Sequence, residues 1–159
     1  MDRSAHFSKC RRYRYALWRT WDPLELSVLF IGLNPSTAGA NEDDATVRRC
    51  IGFAQAWGYG RLAIVNLFAY RTSNPEILRS IDHPIGRANN SWLLRLASQS
   101  DLRVAAWGDH GRYLGRDAQI VAWLENLQCL GLTKRGAPRH PLYSPADSRL
   151  RILTSSKNA

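Results

Sequence analysis

The stretch VLFIGLNPSTAGANEDD, Val28–Asp44, decides the reading of the fold. A β-branched and aromatic run ends at Gly32-Leu33-Asn34-Pro35-Ser36, and an acidic, polar loop follows. An apolar run of this length, bounded by Gly and Pro, reads as a strand buried on both faces. Such strands belong to parallel sheets covered by helices. The question it raises is what an amide, a proline and two carboxylates do at the end of a buried strand.

The chain around it supports the same architecture. DDATVRRCIGFAQAWG reads as a helix capped by Asp43 or Asp44, with Val47, Cys50, Ile51, Ala54 and Trp57 at helical spacing and Gly58 at its end. RLAIVNLFAY, 61–70, reads as a second strand interrupted by Asn66, and DLRVAAWG, 101–108, as a third. LQCLGL reads as a fourth. Between them, GRANNSWLLRLASQS and GRDAQIVAWLENL read as helices. SNPEILRS carries Ser73 and Glu76 at capping-box spacing, with Pro75 near the first turn. Alternating strands and helices predict an α/β fold, a three-layer α/β/α sandwich around a roughly four-stranded parallel sheet, in a single domain over 1–159. The segment 1–22 is basic and aromatic; CRRYRYALWRTW is either an arm or a short strand or helix docked on the body.

Ligands bind beyond the carboxyl ends of such strands. The ends here are Asn34–Ser36, Asn66–Arg71, Trp107–His110 and His140–Tyr143, and one rim should gather them. Gly32 permits close approach of backbone to a ligand and Pro35 fixes the turn. Asn34 can orient a water; it equally suits an ordinary Asn-Pro turn. Asn66, inside an apolar strand, needs a partner for its amide, either neighbouring backbone or the edge of a nucleobase. His140, braced by Pro141, can stabilise an anion or carry a proton, and Leu142 and Tyr143 beside it can act as an apolar wedge. Asp43 and Asp44 suit helix capping. One of them can also activate water or shield a cationic sugar.

Composition narrows the partners. The formal charge is +9, and Lys9, Lys134 and Lys157 are the only lysines. Arginine's planar fork suits phosphate, which points to nucleic acid or a nucleotide; an arginine-rich composition throughout the genome is the plainer source of the Arg/Lys ratio. Cys10, Cys50 and Cys129 are far apart, which argues against a disulfide framework or a cysteine metal site. No P-loop, GxGxxG or metal-ligand spacing is present, so neither cofactor nor metal is expected. No apolar run approaches the roughly 18 residues of a membrane span, and the N-terminus lacks a secretory h-region. A soluble, cytoplasmic monomer is the expectation.

The order strand–GLNPS, strand–Asn, strand–WG, loop–HP resembles the uracil-DNA glycosylase superfamily. VLFIGLNPS is similar to the GINPG motif of its mismatch-specific branch, and RHPLYSP to its second motif. More closely, GLNPSTA, DDATVRRC, NLFAYR and GAPRHPLY resemble an uncharacterised bacterial domain family. The superfamily resemblance implies that Asn34 orients the attacking water, that Asn66 hydrogen-bonds a flipped base and that His140 stabilises the departing base. It also implies that Leu142 or Tyr143 fills the gap left in the duplex. With Asp44 added to the catalytic set, Gly32, Leu33, Pro35, Ser36 and Trp107 join Asn66 around the base. Arg11, Arg12, Arg14, Arg71 and Arg139 are the expected DNA contacts. Ser36 stands where the pattern has glycine, and Ser144-Pro145 is displaced by Leu142-Tyr143. The implied activity is hydrolysis of the N-glycosidic bond of a damaged or modified base in DNA. Its rivals are a hydrolase of a free nucleotide or nucleoside and a non-catalytic nucleic-acid binder.

Overall fold

The apolar run after Leu26 forms the centre of a seven-stranded sheet in the computed structural model, which describes residues 1–153. The strands are β1 (Asp2–Phe7), β2 (Arg14–Thr20), β3 (Ser27–Gly32), β4 (Arg61–Asn66), β5 (Leu102–Ala105), β6 (Leu127–Cys129) and β7 (Arg151–Ile152). Their order is β1-β2-β4-β3-β5-β6-β7. The central pairs β4-β3, β3-β5 and β5-β6 are parallel; β1-β2, β2-β4 and β6-β7 are antiparallel. The four parallel strands match expectation. The sheet is larger than expected, because three antiparallel strands flank them. CRRYRYALWRTW is no free arm: from Arg14 it is β2, paired with both β1 and β4.

Alternate residues of the central strands feed two clusters. Leu29 and Ile31 of β3 pack with Leu93 and Leu96 of α2 (Asn89–Gln99) and with Ile120 of α3 (Arg116–Trp123). Val28 and Phe30 pack with Val47, Cys50 and Phe53 of α1 (Ala45–Ala56). Burial of each such side chain is worth about 1.5–3 kcal/mol, which fixes the register of β3 against both neighbours.

Local chemistry sets the helix starts. Asp44 caps α1, its Oδ1 accepting from Val47 N at 2.9 Å. Asp43 does not cap; it pairs with Arg19 (Nε–Oδ1 2.8 Å) and Arg3 (3.5 Å). The expected capping box at Ser73 is replaced. Pro75–Ser80 is a 3₁₀ turn started by Asn74, whose Oδ1 accepts from Glu76 N at 3.1 Å.

Arg19 is fully buried on β2. It donates to Asp43 Oδ1 and to the carbonyls of Trp18 (2.8 Å), Gly39 (2.7 Å), Glu42 (3.1 Å) and Ser4 (3.4 Å). A single guanidinium thus ties β2 to the loop between β3 and α1, the acidic loop that follows GLNPS.

Candidate functional site

The carboxyl ends of β3, β4 and β5 and the loop after β6 surround a cleft of about 770 Å³. Its walls include Leu33, Asn34, Ser36, Trp107, His140 and Tyr143. Behind it lies a small chamber of about 50 Å³, walled by Arg14, Gly32, Asn34, Asp44, Asn66 and His140. Leu33, Asn34, Ser36, Thr46 and His140 border both, so chamber and cleft adjoin. Asn34, Asn66 and His140, from three separate strand ends, therefore meet at one chamber. Pro35 lines the chamber as well.

Each side chain is held in a defined state. Asn34 donates from Nδ2 to the carbonyls of Thr72 (2.8 Å) and Pro35 (3.0 Å), which leaves Oδ1 as an acceptor for water. Asn66 is buried, and its Oδ1 accepts from Arg14 Nη2 at 3.4 Å. Asn89 steadies the backbone there, donating from Nδ2 to the carbonyls of Asn66 (2.8 Å) and Leu67 (3.1 Å).

His140 begins a 3₁₀ turn, Pro141–Tyr143, with Nδ1 accepting from Leu142 N at 3.2 Å. An accepting Nδ1 puts the proton of the neutral ring on Nε2, the tautomer that donates. Its loop is tied down on three sides. Gly108 N donates to Pro138 O (2.9 Å), Ser144 Oγ donates to His140 O (3.0 Å), and Arg49 on α1 donates to Ser144 O. Burial pushes the His140 pKa below its ordinary 6.5, with Asp44 pulling weakly the other way. The unfolded chain then takes up this proton before the folded one as pH falls. The stabilising contribution is full above about pH 6.5 and declines below it. The wild-type melting temperature is expected to fall more steeply between about pH 7 and 5.5 than that of His140→Gln. Parallel melting curves would contradict this.

Asp44 borders the chamber, but both its oxygens also serve the backbone: Oδ1 takes Val47 N and Oδ2 takes Ala38 N at 3.3 Å. Gly32 has a different reason from the one expected. A Cβ there would lie 2.8 Å from Asn66 Nδ2, so the glycine makes room for the amide itself. Gly32→Ala is expected to cost about 1–3 kcal/mol through overpacking and to displace the Asn66 side chain. Urea unfolding checks the first and a structure of the variant the second; a neutral substitution would refute both.

Arg14 is not at the surface with Arg11 and Arg12. It is 3% exposed, a strand residue whose guanidinium runs inward, donating from Nη1 to Ala38 O at 3.1 Å. Arg11, Arg12 and Arg71 instead line an open groove of about 440 Å³ with Thr37 and Tyr70. Ser36, Thr72 and Ser73 border both groove and cleft, with the Ser36 and Ser73 hydroxyls 3.0 Å apart. Arg139 lines the far side of the cleft and donates from Nε to Leu132 O at 3.3 Å. Leu142 and Tyr143 stand exposed at the rim, Tyr143 by 78%. Trp107 is buried under the cleft, its Nε1 without a partner among the described residues.

Sequence reasoning missed the hydroxyls of Thr46, Thr72 and Thr133, which line the cleft. Thr72 follows a strand end and was legible by that rule. Thr46 sits in the first turn of α1, where nothing in the sequence distinguishes it. Buried Arg116 was also missed; it donates to Leu67 O at 2.8 Å and Gln119 Oε1 at 2.7 Å. Among the described residues no group of three His, Cys, Asp or Glu is placed to hold a metal, and no helix is long and apolar enough to cross a membrane.

Fold and cleft together define an α/β protein with a polar, donor-rich site at the carboxyl ends of its parallel strands. Residues 14–142 match the family described as Protein of unknown function (DUF1643), and the chain belongs to that family. The match bears out the likeness of the GLNPSTA, DDATVRRC, NLFAYR and GAPRHPLY segments to an uncharacterised domain family. No curated protein and no solved structure matches the chain.

Proposed function

We propose that the protein is a monofunctional DNA glycosylase-like enzyme that hydrolyses the N-glycosidic bond of a damaged or modified base, as in base-excision repair. We infer with this a three-layer α/β/α sandwich of the uracil-DNA glycosylase kind. The observation that supports the reading is the meeting of Asn34, Asn66 and His140 at one chamber opening into a nucleotide-sized cleft.

The chemistry asks little else of the protein. Breaking the bond between C1′ and the base nitrogen leaves positive charge on the sugar and sends the electron pair to the base. His140 Nε2–H donates to the base as it becomes anionic. Asn34 Oδ1 accepts a hydrogen bond from water and aims its oxygen at C1′. That water forms the new C–O bond, and its proton ends on the released base. Asp44 adds negative potential near the cationic sugar. A base must leave the stack to reach the cleft, at a cost of a few kcal/mol. Leu142 or Tyr143 at the rim can fill the gap, and the groove of Arg11, Arg12 and Arg71 can hold neighbouring phosphates and offset the cost.

The test is base release from oligonucleotides carrying uracil, hypoxanthine, xanthine or bulky modified pyrimidines, with Asn34→Ala and His140→Ala as controls. Release by the wild type that collapses in both variants is the expected result. No release from any substrate, with tight salt-sensitive binding unchanged in Asn34→Ala, would replace the enzyme by a nucleic-acid binder.

A further inference from the structure

Arg14 is a cation in the wall of the chamber with no carboxylate in ion-pair contact among the described residues. Its Nη1 donates to Ala38 O, its Nη2 reaches Asn66 Oδ1, and its Nε has no partner among the described residues. Burial lowers its pKa to about 10, with Asp44 opposing, so it stays charged at neutral pH. A buried guanidinium with unused donors is costly unless something supplies acceptors.

The contact with Asn66 has a second effect. An amide normally offers a nucleobase both an acceptor and a donor. Here Arg14 engages the oxygen, and the Nδ2 donors beside Gly32 are left for a ligand. His140 adds Nε2–H in the same chamber. Two side-chain acceptors border the same chamber: Asp44, both of whose oxygens already take backbone N–H groups, and Asn34 Oδ1. At about 50 Å³ the chamber has room for a few water-sized atoms, enough for the edge of a ring whose body lies in the cleft.

We propose that Arg14 is the specificity-determining residue of this site. With Asn66 it forms a floor of donors that takes a ring edge bearing two adjacent acceptors. The O6/N7 edge of guanine and the N3/O2 edge of cytosine have that pattern. Uracil and thymine alternate acceptor, donor, acceptor, and their central N–H would face a donor. This rests on the nucleobase reading of the cleft but not on any bond being broken.

The experiment is calorimetric titration of the full chain with 2′-deoxyguanosine, 2′-deoxycytidine, 2′-deoxyuridine and thymidine. The first two are expected to bind about tenfold more tightly than the last two, in line with one good two-point contact. Arg14→Met is expected to bring all four within about twofold of one another. Arg14→Lys, which keeps the charge but not the fork, should narrow the gap, and thermal melting establishes that either variant is folded. Equal or tighter binding of deoxyuridine and thymidine overturns the proposal, as does an unchanged preference in folded Arg14→Lys. Absence of binding by all four at millimolar concentration overturns it too. If base release fails in every oligonucleotide while this preference holds, the glycosylase reading falls and the assignment of Arg14 stands.

Discussion

Truncation of His140 to alanine is expected to lower base release by about 10²–10³-fold at saturating substrate, the usual loss when a pre-aimed donor to a developing anion is removed. The expectation follows from tautomer and burial together. Leu142 N occupies the accepting Nδ1, and burial disfavours the charged ring, so near neutral pH His140 borders chamber and cleft as a neutral ring with its proton on Nε2. The loss should fall on kcat more than on KM, because the donor matters most as charge accumulates on the departing base. Asn34→Ala should lose a comparable factor. Wild-type release should decline as acid protonates the imidazole, since the ring then gives up its contact with Leu142 N and turns. A His140→Ala enzyme within about threefold of wild type would remove the imidazole from the mechanism.

Replacement of Arg19 by methionine is expected to destabilise the protein by about 3–5 kcal/mol, the cost of breaking a buried pair from one side. Four carbonyls lose this donor at once, and the Asp43 carboxylate keeps only the more distant Arg3. Gly39, Glu42 and Asp43 belong to the loop that ends in Asp44, so the cap of α1 and the chamber wall should loosen with it. Urea unfolding gives the magnitude. Arg3→Met, which removes the exposed partner of the same carboxylate, should cost no more than about 1 kcal/mol. Similar losses in the two variants would show that the buried guanidinium is not what holds the loop.

Arg14 and Arg19 also explain why part of the fold was illegible. From Leu26 onward, buried parallel strands produced apolar runs, and Gly, Pro and Asp marked their ends, so β3 to β6 and the helices between them could be read. On β2, by contrast, two inward positions are arginines, and hydropathy reads them as surface. Most of their acceptors, Ala38, Gly39, Glu42, Asp43 and Asn66 among them, are distant in sequence and brought together only by the folded chain. DRSAHF looks like a solvated tail because β1 is an edge strand, exposed at most positions. A two-residue strand such as β7 leaves no periodicity to detect. The site was more legible than the sheet. Strand ends in an α/β fold are predictable, and Asn34, Asn66 and His140 lie at or beyond three of them. What stayed hidden was orientation: which end of the Asn66 amide faces the chamber depends on Arg14.

The ring of Phe7 has a consequence for the groove beside the cleft. The guanidiniums of Arg11 and Arg71 lie 4.3 and 4.7 Å from its centroid, two like charges gathered on a single phenyl pedestal. Their mutual repulsion is a cost that a nearby anion would relieve. Phe7 and Arg11 precede the stretch shared with the family, whereas Arg71 lies within it. Two of the three side chains of this cluster therefore stand outside the family's shared stretch and one within it.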